Sequence, residues 1–157
     1  MPALIREEIA QFIEGEGHRV EVSLLEETEE LAEIAFRTRG QMFSIAVSEV
    51  DPTRFSISTA YEVPEWLSER AGGAGDSLRD VEHEYPGTRF MLAHDGTIFV
   101  ATIDFEAPNV GEFTGQFWRV LGRLRDAGNS AVERMVDRSE SKAAADKFIR
   151  QFMRGDR

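Results

Sequence analysis

Apolar residues recur at helical spacing over residues 3 to 14. Leu4, Ile5, Ile9, Phe12 and Ile13 share one side of a helix that Gly15 and Gly17 bring to an end. From His18 the period drops to two. Val20, Val22 and Leu24 alternate with Arg19, Glu21 and Ser23, the signature of a strand with one buried face. The polar cluster Glu26 to Glu30 is a solvated turn. A second strand is expected through Ala32, Ile34 and Phe36 and a third through Phe43, Ile45 and Val47, with Arg39-Gly40 as the hairpin step between them. Asp51-Pro52 turns the chain into a fourth strand, in which Phe55, Ile57, Thr59 and Tyr61 alternate with Ser56, Ser58 and Ala60. Short turns between one-sided strands point to an antiparallel meander rather than to crossover units.

The pattern then becomes helical. Pro64 opens a short helix with Trp66 and Leu67, Gly72 to Gly75 interrupt it, and Leu78, Val81 and Tyr85 resume the spacing of a second short helix. Pro86-Gly87 closes that segment. Residues 88 to 106 follow as a hairpin around an Asp95-Gly96 turn. Asn109, with Glu112 three residues on, has the form of a capping box. It heads a helix bearing Phe113, Phe117, Val120, Leu121 and Leu124. Gly128-Asn129 is expected to end this helix, and a tail helix with a fresh cap at Ser139 or Ser141 is expected to carry Ala144, Ala145, Phe148, Ile149 and Phe152. Helices gathered over an antiparallel sheet define a two-layer α+β domain.

Composition narrows the chemistry. The chain has 157 residues and no cysteine, which excludes disulfides, thiolate metal sites and thiol nucleophiles. Its net charge of -11 is unevenly spread. Residues 1 to 114 hold 8 arginines against 23 acidic residues, whereas residues 115 to 157 hold 10 basic against 6 acidic ones. An acidic body repels phosphate backbones and anionic membranes, so neither nucleic acid nor membrane is an expected partner; nucleic-acid binding by the tail is the residual possibility. Arg6, Glu7 and Glu8 break any leader-like apolar core, and no run approaches a membrane span, so a cytoplasmic location is expected.

No constellation of catalytic residues emerges. Asp80, His83 and Glu84 share a helical neighbourhood, but a metal site needs three or four converging ligands. The glycines at 72 to 75 lack the lysine and hydroxyl residue of a phosphate loop and are followed by Asp76. No GxSxG nucleophile elbow is present. No catalytic, metal-binding or cofactor-binding residue is assigned.

The hairpin at 88 to 106 is more informative. Read by odd and even positions, Phe90, Leu92, Ile98 and Val100 fall on one set and Met91, Phe99, Ile103 and Phe105 on the other, so both faces appear apolar. Either the domain's own helices cover both faces, or a second chain or client covers one of them. Phe148 and Phe152 pose the same question on the tail, where packing on the domain itself competes with docking on a neighbour. The candidate partner surface is therefore Phe99, Ile103, Phe105, Phe148 and Phe152.

Phe12-Ile13 ahead of a Gly15-Glu16-Gly17 turn, a strand meander, a broken helix, the stretch Thr88 to Phe105 and the helix through Phe113, Phe117, Val120 and Leu124 together resemble the YbjN family. The likeness runs from the first helix to Asp126. It implies a type III secretion chaperone-like fold: a curved antiparallel sheet with helices packed mainly on one face, spanning residues 1 to 127, with residues 128 to 157 as a helical tail of the same domain. It implies no active-site residues and no cofactor. What it does imply is a chaperone-like or regulatory protein that forms a homodimer and binds a polypeptide client. The alternative is a small-molecule binder or enzyme with a pocket between sheet and helices.

Overall fold

Alternation of large apolar and small polar side chains builds the sheet, and helical spacing supplies the layer that covers it. The computed structural model describes residues 2–17, 19–24, 31–48, 51–63, 74–93 and 96–155. In chain order they form α1 (Pro2–Gly15), β1 (Arg19–Leu24), β2 (Leu31–Thr38), β3 (Gln41–Ser48), β4 (Arg54–Glu62), α2 (Ala74–Glu84), β5 (Thr88–Leu92), β6 (Ile98–Glu106) and α3 (Val110–Gly155). The strands make one six-stranded antiparallel sheet in the order β1-β2-β3-β4-β6-β5. The fold is the expected α+β type, with a curved sheet covered on one face. The Trp66-Leu67 helix expected after Pro64 lies outside the described residues.

Local chemistry explains the turns. Thr38 pairs with Gln41, leaving Arg39 and Gly40 as a two-residue loop with φ of 50° and 77°. Two left-handed residues give the hairpin a twist that matches its flanking strands. At the start of α3 the Asn109 Oδ1 accepts the Glu112 backbone N–H at 2.9 Å, the expected helix cap.

Register decides which side chains share a face. Cross-strand rows such as Val20-Phe36-Phe43-Thr59-Ala101-Phe90 run beneath the helices. Ile9 and Ile13 of α1 and Phe113, Phe117, Leu121 and Leu124 of α3 close over them. Each such large apolar side chain contributes about 1.5–3 kcal/mol on burial. A second cluster joins Leu78 and Val81 of α2 to Val63, Phe99, Ala127, Ala131 and Met135.

The tail departs from expectation. Gly128-Asn129 does not end a helix: α3 continues unbroken for 46 residues, about 70 Å at about 1.5 Å per residue. Gly128 is buried inside it because the Tyr61 ring lies where a side chain at 128 would stand. The glycine serves close packing between helix and sheet, and the buried stripe passes through it from Leu124 to Ala131 and Met135. No helix break therefore marks a boundary between residues 127 and 128.

Candidate protein-binding surface

The hairpin read as two-faced has one apolar face and one mixed face. Leu92 pairs with Phe99 and Phe90 with Ala101, so even positions on β5 share a face with odd positions on β6. The Ala93 N–H, which donates to the Ile98 carbonyl at 2.8 Å, carries the same pairing to the end of the hairpin. Odd and even numbering across the turn therefore does not separate the two faces of the hairpin.

Three of the candidate partner residues consequently turn inward. Phe99 is 0% exposed and Ile103 6% exposed, both beneath the protein's own helices. Phe105 is partly buried, with its ring 5.6 Å from both Phe55 and Phe113. These three belong to the core, not to an open surface. Phe148 and Phe152 sit on the distal part of α3, and their side chains lie outside the described residues.

The open surface of the sheet is its opposite face. The three described helices pack on the inner face. On the outer face, the register aligns Met42, Ala60, Val100 and Met91 in one row across β3, β4, β6 and β5. With strands about 4.8 Å apart, this apolar row is about 15 Å long. Met91 is 71% exposed, Met42 45% and neighbouring Ile98 39%. Hydrophobic patterning could have found the row only with the strand order in hand, since β4 and β6 are far apart in sequence.

Beside the row lies a floor of small side chains, Ala35, Ser44, Ser58 and Thr102 in one line and Ala46 and Ser56 in the next. The Ser58 and Thr102 hydroxyls are 2.9 Å apart in a hydrogen bond. Ser56 donates to Asp104, which also receives Arg89 at 2.7 Å. At the far end Arg54 bridges Asp51 at 3.3 Å and Glu106 at 3.2 Å, beside an open hollow of about 600 Å³. The face thus presents an apolar row, a shallow polar floor and a rim of paired charges.

The inner layer offers less to a small ligand. Its hollow, bounded by Ile9, Pro52, Phe55, Ala107, Val110 and Phe113, has about 200 Å³, below the usual span of ligand pockets. Glu8 and Asn109 also line it, and Asn109 is already spent on the α3 cap. Asp80 and Glu84, considered above as metal ligands, both meet Arg134 of α3. His83 lies exposed beside them. Among the described residues, no helix is long and apolar enough to cross a membrane.

One polar cluster lies under α3. Gln41 donates to the Thr59 hydroxyl at 2.9 Å, and that hydroxyl donates to the Met42 carbonyl at 2.8 Å. The Arg125 guanidinium stands 5.5 Å from the Phe43 ring centroid, with its Nη2 buried and without a hydrogen-bond partner among the described residues. Burial pushes the neighbouring Tyr61 phenol above its ordinary pKa, against smaller opposing effects of Gln41 and Arg125. The hydrogen bonds tie β3 to β4 beneath α3, and the cluster borders none of the hollows described above.

No family model and no curated protein matches the chain. Among solved structures, "an uncharacterized protein from Methanothermobacter thermautotrophicus" is similar, with a TM-score of 0.63 and 13% identity, over 85% of this chain and 98% of that one. YbjN, "a putative transcription regulator from E. coli", has a TM-score of 0.48 and 10% identity, over 87% of this chain and 92% of that one. At such identities the likeness is one of fold, and the first structure carries it.

Proposed function

We propose that this chain is a non-enzymatic, chaperone-like or regulatory protein-binding module that forms a homodimer and holds a polypeptide partner on the open face of its sheet. The observation supporting the reading is the row Met42, Ala60, Val100 and Met91, whose two methionines are exposed and whose valine is half-buried. Of the about 1.5–3 kcal/mol that fully burying such a side chain contributes, Met91 at 71% exposed has most still to gain and Met42 at 45% about half, enough for a weak interface once ordering costs are met. The acidic body keeps such a surface soluble and disfavours nucleic acid as its partner.

Light scattering on the purified chain, together with retention of a permanently reduced and alkylated test polypeptide, tests both parts. A dimer that retains the polypeptide, and loses it at least tenfold when Met42→Asp and Met91→Asp are combined, is expected. A strict monomer at high concentration would remove the dimer. Retention unchanged by the double substitution would remove this face.

A further inference from the structure

Among the described residues the sheet ends at β5, which pairs on one side only, with β6. Such an edge carries backbone donors and acceptors that a second strand can satisfy, and proteins that avoid edge-to-edge association must cover them. Here the covering group is identifiable. The Ala93 N–H turns inward to the Ile98 carbonyl at 2.8 Å, so alternation turns the N–H groups of Thr88 and Phe90 outward. The Phe90 N–H donates to the Glu82 carboxylate at 2.8 Å, and the Thr88 N–H donates to the Tyr85 carbonyl at 3.1 Å.

Both acceptors come from α2 or the residue just after it, and this segment is firmly held. Arg134 of α3 meets Asp80 and Glu84 on α2. The Tyr85 hydroxyl lies 3.4 Å from the Ser130 hydroxyl, and Arg123 donates to the Pro86 carbonyl at 2.6 Å. These ties set α2, and with it Glu82, beside the edge. Its carboxylate oxygen occupies the position of the carbonyl that an added strand would bring.

We infer that Glu82 is an autoinhibitory contact that stops β5 from pairing with β5 of a second copy. The two edges would meet antiparallel about a two-fold axis, with each Phe90 N–H open to a carbonyl of the other chain. Met91, 71% exposed on the same strand, would add apolar contact to that pairing. The inference is independent of the open-face reading: it concerns the sheet edge, and it holds whether or not the chain binds a client.

Three variants test it in light scattering over a hundredfold range of concentration, with hydrogen exchange at the Phe90 amide as a second readout. Glu82→Ala removes the acceptor, and Glu82→Asp keeps the charge but shortens the reach. Both should associate beyond the parent's state, and in dilute samples both should speed Phe90 exchange at least tenfold. Glu82→Gln retains a side-chain carbonyl and should behave as the parent. Folded Glu82→Asp in the parent's state, with Phe90 exchange unchanged, would overturn the inference even if Glu82→Ala failed to fold. Association of Glu82→Gln to the same extent as Glu82→Ala would also overturn it, since lost charge alone would then be the cause.

Discussion

The Tyr61 ring lies against the backbone of Gly128, in the space that a Cβ at 128 would fill. The ring is also stacked on Phe99, with centroids 5.0 Å apart, and its hydroxyl reaches toward the Arg125 carbonyl at 3.5 Å. With Phe99 on one side and α3 on the other, it has little room to move. Helix propensity alone favours Gly128→Ala by about 1 kcal/mol, whereas overpacking at such a site costs about 1–3 kcal/mol. Gly128→Ala should therefore lower the melting temperature. In a Tyr61→Ala background the same change should become neutral or stabilising, which a four-member thermal melt series will show.

Tyr61 should also limit stability in alkali. Burial favours its neutral form, so in the unfolded chain the phenol ionises first, near its ordinary value of 10.0. The folded state then binds more protons than the unfolded state, and stability falls as pH rises through that value and upward; below it the phenol makes no difference. Urea unfolding between about pH 8 and pH 11 should show this loss, and Tyr61→Phe should flatten it. Phenolate absorbance, compared with that of Tyr61→Phe, should show Tyr61 titrating late.

Arg134 is the electrostatic tie between α3 and α2. Its partners Asp80 and Glu84 are nearly half exposed, so Arg134→Met should cost only about 0.5–1 kcal/mol, and less in high salt. Denaturant unfolding at two salt concentrations measures this. A cycle with Glu84→Gln separates the pair's contribution from lost packing.

The α3 cap offers a cleaner test of local structure. Asn109→Ala leaves the Glu112 N–H without its side-chain acceptor and should lower stability by about 1 kcal/mol. Asn109→Asp keeps an acceptor oxygen and should hold stability near that of the parent, as thermal unfolding of the two variants can establish.

The strands, the hairpin at Arg39-Gly40 and the Asn109 cap were legible because each depends on neighbours within a few residues. Alternation reports a half-buried strand wherever it occurs, and a left-handed pair reports a hairpin turn. The candidate surface was less legible. Phe99 and Ile103 read as partner residues because both sides of the hairpin read as apolar, whereas the strand register puts them on the buried side. Gly128 reads as a helix end because a glycine in a helical pattern carries the same local meaning whether it stops the helix or admits a ring.

From the sequence alone come the α+β class, the strand and turn positions, the absence of thiol chemistry and the division between an acidic body and a basic tail. Periodicity, turn chemistry and composition are local or additive properties, so one chain suffices to read them. Tertiary structure alone decided that β6 inserts between β4 and β5, that Met42, Ala60, Val100 and Met91 align across the open face, that Tyr61 lies on Gly128, and that the Glu82 carboxylate meets the Phe90 N–H. Each of these joins residues well separated along the chain or set by the register of paired strands, and only the folded arrangement brings their side chains within contact distance.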